Sequence, residues 1–345
     1  MKISVWTYGL AAVVSAVLGF GQIAAWDEAK AGPQNPSQDQ LALSVDDKAE
    51  IAAVLRLKTE AGDHVWPGFA AADIPIILCS GRYEFLIGEA KPPAPWEIVP
   101  EDDFQGRPYF RRAARDSQYF AVKIGAHYAG SAGTLSRMNG QSRFKLSPDM
   151  HIVIILHEMF HAYEGNRAPA RMTKALAAYK AESRYPYKDK AFAAAWTSEG
   201  AALAQALKAA DDAGAAQWAQ KFWQIREARR QAAGFGPDLL DYERELEWLE
   251  GLAEYAEIRF HESAARLSPL SAIKFPPSLP FFLQYDFVRL EKQLGAQDGD
   301  LRFYVSGMAQ LRLLDRLSPG WKTKITLDNF YLEDLVRAAA FSREK

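Results

Sequence analysis

The residues best suited to chemistry are His157-Glu158-Met159-Phe160-His161. On a helix, histidines four residues apart stand on one face, one turn apart, where both imidazoles can bind a single Zn²⁺. Glu158 projects about 100° away around the same helix, toward a water held beside such a cation. The cation lowers that water's pKa toward neutrality, and Glu158 can accept its proton and pass it to a leaving group. With 6 histidines in 345 residues, this spacing arises by chance in on the order of one chain in a hundred. The bland alternative is two core histidines satisfied by hydrogen bonds.

Zinc in a hydrolase takes a third protein ligand and leaves the fourth position to water. Residues 162–168 read Ala-Tyr-Glu-Gly-Asn-Arg-Ala and bring no third histidine, so a carboxylate further on is expected. Glu164 shares the histidine face, but a helix does not easily bend three successive turns onto one metal; a place beside the site or on the surface is expected. Glu199 falls on the apolar stripe Phe192, Trp196, Leu203, Ala206, and must be buried with a partner. Glu250 belongs to a narrow stripe, Glu243, Glu247, Glu250, Glu254 and Glu257, on a segment otherwise mostly apolar and with no base to relieve it. Like charges at i,i+4 each cost about a few tenths of a kcal/mol. Either the stripe is a solvated edge, or its middle faces a cation while Gly251 lets another helix approach closely. Glu250 is the expected ligand and Glu199 the alternative.

These segments resemble the gluzincins, zinc peptidases of the thermolysin and aminopeptidase N clan, in which a glutamate on a later helix joins the HExxH pair. Glu250-Gly251-Leu252-Ala253-Glu254-Tyr255 looks like their ligand helix. Tyr304-Val305-Ser306-Gly307 is similar to their transition-state tyrosine element. The Trp-x-x-Glu-Gly spacing of that clan falls instead on Trp196 and Glu199, because Trp248 is one residue too close to Glu250. The gap from His161 to Glu250 is longer than in those enzymes, and their Gly-x-Met-Glu-Asn peptide-terminus motif does not occur. The resemblance spans residues 147–315. It implies a zincin-like fold, a Zn²⁺ cofactor and catalysis by Glu158. It also implies an oxyanion partner in Tyr304, a role open to Tyr255 as well, and hydrolysis of a peptide or protein substrate. Two other readings stay open: a zinc-dependent amidase of a cell-envelope substrate, and an exported non-catalytic module with a structural metal site.

The elements that must position these groups follow from local pattern. Ser147-Pro148-Asp149 starts a helix with a capping hydroxyl, a first-turn proline and an acid at the positive dipole end. That helix is expected to run to Glu164 and stop at Gly165, and the all-apolar Ile152–Leu156 predicts that it is buried. Ser44 with Asp47 predicts a capped helix over Val45–Lys58, ended by Trp66-Pro67-Gly68. Ile74–Leu78, Tyr83–Ile87 and Phe120–Ile124 read as strands, the last as a cleft edge for an extended peptide. Further helices are expected near 168–182, 191–213, 215–233, 238–263, 280–294, 300–317 and 328–341. The fold class is α+β, predominantly helical: an N-terminal α/β portion over 44–146 and a helical portion over 147–345, together one catalytic unit.

Composition bounds the rest. A net charge of −2 without a basic block argues against a nucleic-acid surface. The single cysteine, Cys79, allows neither an internal disulfide nor a CxxC metal motif, and reads as a small buried strand residue. No Gly-x-Ser-x-Gly element occurs to suggest a serine nucleophile. Lys2, the uncharged Val5–Phe20 and the small residues that follow form a signal peptide over 1–25, cleaved after Gly21 or Ala25. Residues 26–43 read as a linker. The expected chain is secreted or periplasmic, with no stable membrane insertion once the signal is removed.

Overall fold

The structure is a computed structural model that describes residues 41–114, 119–142, 145–266, 287–297 and 299–342. The expected signal peptide and nearly all of the linker lie outside the described residues, as do residues 280–286 of the helix expected near 280–294, whose described remainder is helical, with a π turn at Arg289–Gln293. Helix α1 spans Val45–Val65. Ser44 and Asp47 form a reciprocal capping box at its start. It continues past Lys58 until Pro67, which forces the residue before it, Trp66, into extended backbone. Leu43 is already in the core, its N–H donating to the Tyr109 hydroxyl, so the linker ends earlier than expected.

Six strands follow: β1 (Ile76–Cys79), β2 (Tyr83–Ile87), β3 (Glu97–Ile98), β4 (Phe110–Ala113), β5 (Phe120–Ile124) and β6 (His127–Gly133). They form one mixed sheet in the order β3-β4-β2-β1-β6-β5. Only β1 and β6 run parallel; the other pairs are antiparallel. Strand β1 is buried throughout, Cys79 included. Strand β5 stands at the end of the order and, among the described residues, pairs only with β6.

The short α2 (Leu135–Gln141) leads to α3 (Pro148–Arg167), which carries both candidate histidines. Gly165 does not stop α3. It lies where a Cβ would meet the Tyr128 ring at 2.7 Å, so the glycine serves close packing and the helix ends two residues later. Beyond it come α4 (Pro169–Ala178), a 3₁₀ turn (Tyr179–Arg184), α5 (Lys190–Lys208), α6 (Asp212–Ala232), α7 (Pro237–Arg266), α8 (Leu301–Leu317) and α9 (Leu332–Phe341).

Helix α3 packs between β6 on one side and α7 on the other. Its contact with the sheet is intimate at Gly130, where a Cβ would sit 2.7 Å from the Met159 backbone nitrogen. Helices α7 and α8 meet glycine to glycine: a Cβ on Gly251 would lie 2.5 Å from the Gly307 Cα. One hydrophobic core runs from Leu43 to Ala340 and includes residues of both the N-terminal and helical portions. No helix among the described residues is long and apolar enough to cross a membrane.

Candidate metal centre

Where α3 meets α7, His157, His161 and Glu250 each offer a ligand atom, and those atoms all lie within 4.8 Å of one another. The three side chains are 5%, 1% and 3% exposed. Glu250 Oε2 approaches His161 Nε2 at 3.4 Å. The other face of each imidazole meets a carboxylate. His161 Nδ1 donates to Glu164 Oε2 at 3.0 Å, and His157 Nδ1 lies 3.0 Å from Glu257 Oε2. The second contact has the distance of a hydrogen bond without its direction. An acid on Nδ1 fixes the tautomer, turns the Nε2 lone pair outward and makes it a stronger ligand. Glu164 thus sits beside the site, not in it.

The electrostatics ask for positive charge. Glu158, Glu164, Glu250 and Glu257 surround two imidazoles, and each of these acids has one buried oxygen with no hydrogen-bond partner. Burial pushes the Glu158 carboxyl up to about 7, against the pull of His157 and His161. Burial likewise raises Glu164 to about 7, with His161 opposing. Burial should discharge His161, yet Glu164 and Glu250 outweigh it and hold the imidazole up to about 10. Glu250 is held below the usual carboxylate range: burial opposes its charge, but the neighbouring His161 imidazole and Tyr304 hydroxyl prevail. Unpaired buried charge is costly. A divalent cation on two nitrogens and one oxygen would relieve it, and that donor set suits zinc. A second grouping, His157 with Glu254 and Glu257, has equally close donors. It shares His157 with the first and draws both its acids from α7.

Glu158 and Tyr304 share the cavity with the three donors. The Tyr304 ring stacks on His157 at 6.1 Å and 14°. Tyr119, Phe120, Leu176, Tyr179 and Leu249 complete the wall, leaving about 20 Å³, room for about one water. Phe120 opens strand β5, and its ring lies 4.5 Å from that of His161. The edge of the sheet left unpaired among the described residues therefore borders the site. Tyr255 is elsewhere: its hydroxyl donates to Asp315 at 2.6 Å and meets the Lys322 ammonium.

Glu199 is held apart from this group. Its two oxygens accept from Arg226, at 2.9 Å, and from Arg229. The same arginines answer the first half of the acidic stripe. Glu247 takes a bidentate bond from Arg226 and one from the Ser306 hydroxyl at 2.6 Å, and Glu243 is shared by Arg229 and Arg230. The bases come from α6, not from the stripe's own helix. Sequence reasoning missed them, although Arg226, Arg229 and Arg230 follow Phe222 at helical spacing on a buried face. It also missed Tyr179, from the 3₁₀ turn, whose hydroxyl is 3.1 Å from Glu250 Oε1.

No family model matches the chain, and neither the curated proteins nor the solved structures contain a match to it.

Proposed function

We propose that this chain is a zinc-dependent hydrolase of peptide bonds, with His157, His161 and Glu250 as ligands and Glu158 as general base. One observation carries the reading. Three buried donors converge beside Glu158, and four carboxyls, Glu158, Glu164, Glu250 and Glu257, surround only two imidazoles. The finer description of the fold as zincin-like, with a gluzincin-type glutamate ligand on α7, belongs to the same proposal. So does export, which rests on the signal-like residues 1–25.

Bound zinc would polarise the scissile carbonyl and make a neighbouring water nucleophilic at neutral pH. Glu158 takes that water's proton and returns it to the departing amine, a transfer that suits a carboxyl whose burial raises its pKa. The Tyr304 hydroxyl, turned to Glu250 in the resting site, redirects its one proton to the developing oxyanion. Glu164 and Glu257 hold the two imidazoles in register. The side of β5 left unpaired among the described residues favours a peptide over other amides, because an extended chain can add to it as a strand.

The test is a pair of variants of the purified full-length chain. Glu158→Gln abolishes hydrolysis of an unfolded protein substrate while elemental analysis still finds one zinc per chain. His157→Ala loses zinc and activity together. Undiminished turnover by Glu158→Gln, or a parent chain without zinc, would overturn the proposal.

A further inference from the structure

Behind Glu250 stands a row of polar groups that the proposed mechanism does not use. Tyr179 reaches in from the 3₁₀ turn after α4, and its hydroxyl lies 3.1 Å from Glu250 Oε1 and 2.8 Å from Asp300 Oδ2. Asp300 is fully buried. It immediately precedes α8 but makes no side-chain cap there, and its Oδ1 has no hydrogen-bond partner. A buried carboxyl that neither caps a helix nor meets a base is costly to keep.

Counting donors shows what the row can do. A phenol has one proton, and two carboxyl groups face it. Both contacts become hydrogen bonds when the row holds a second proton on Asp300: Asp300 donates to the Tyr179 oxygen, and Tyr179 donates to Glu250 Oε1. Glu250 then keeps its charge, with Oε1 engaged and Oε2 turned toward His161 Nε2 at 3.4 Å. Tyr304, on the first turn of α8, lies four residues beyond Asp300, so one short segment supports Glu250 from two sides.

We propose that Tyr179 and Asp300 are positioning residues that present Glu250 to the cation through a single oxygen, Oε2. The idea rests on the metal centre proposed above, and predicts more: ligand geometry is set by a proton-bearing acid two residues removed from the metal.

The experiment uses zinc and cobalt binding to the full chain, with three variants. Tyr179→Phe and Asp300→Ala weaken zinc about 10-fold or more in competition with a chromophoric chelator, the size expected when a partner of a ligand is lost. Both also alter the visible bands of the Co²⁺ form. Asp300→Asn stays within about threefold of the parent and keeps its cobalt spectrum, because the amide can donate to Tyr179 as a protonated acid does. Unchanged zinc affinity in Tyr179→Phe and Asp300→Ala overturns the proposal. So does an Asp300→Asn variant as weak as Asp300→Ala, which would mean that the acid's charge is what counts. If Tyr179→Phe does not fold, the two Asp300 variants decide alone. A parent chain that binds no zinc sinks the metal centre itself; a zinc-binding parent with indifferent variants sinks only the positioning pair.

Discussion

Gly251→Ala probes the site without touching a candidate ligand. The new Cβ would lie 2.5 Å from the Gly307 Cα and 3.3 Å from the Met308 nitrogen, both backbone atoms that cannot rotate away. Carbon atoms rest at about 3.5–4.0 Å, so α7 and α8 must part by about 1 Å. Overpacking of this kind costs about 1–3 kcal/mol. In a chain of this size that lowers Tm by roughly 1–4 °C. The larger effect is on the centre, because Glu250 rides on α7 and Tyr304 on α8. Displacing catalytic groups by about 1 Å can cost on the order of 10²-fold in rate. Thermal unfolding, zinc competition and turnover should therefore all worsen. Gly307→Ala should do the same, and the double variant should cost less than the sum, since both report one contact. A Gly251→Ala chain with the parent's Tm and zinc affinity would refute the argument that this crossing sets the site.

Three further outcomes follow from other parts of the molecule. Arg226→Met should destabilise by about 3–5 kcal/mol in denaturant titration, because it strands Glu247 and weakens Glu199 and Glu333; a cost under about 1 kcal/mol would show that the cluster contributes little. Burial opposes the charge of Glu333, but Arg230 and Arg226 hold its carboxyl down to about 2, below its unfolded value. Its stabilisation is therefore full above the ordinary glutamate range and lost as pH falls toward about 2, and a denaturant midpoint unchanged between pH 5 and pH 2 would contradict this. Tyr304→Phe should lower kcat on the order of 10²-fold with one zinc per chain retained, and an unchanged kcat would remove Tyr304 from the mechanism.

Much of this architecture was legible because local chemistry and tertiary role coincide. The Ser44–Asp47 capping box, the Ser147-Pro148-Asp149 start and the HExxH spacing are properties of a few adjacent residues, and the elements lie where those residues put them. Glu250 could be singled out because an acidic stripe within an apolar helix needs a cation. Strand β6 was missed for the opposite reason. His-Tyr-Ala-Gly-Ser-Ala-Gly has neither β-branched residues nor alternation, and its glycines make sense only against α3, where Gly130 admits the Met159 backbone. The arginines of α6 were invisible as partners because the stripe was judged on its own helix. Tyr179 and Asp300 sit 71 and 50 residues from Glu250 along the chain, and no local pattern links them.

The ion cluster in the first half of α7 bears on the residues that follow it in the same helix. A helix clamped only by oily contacts can roll a few tens of degrees and find another comfortable seat. Guanidinium forks on Glu243 and Glu247 allow no such freedom, since each is anchored by direction as well as by charge. They act as a key in a shaft, fixing the angle at which every later residue emerges. Glu250 is three residues, about 300° of helical rotation, beyond Glu247, so the locked segment dictates where its carboxylate aims.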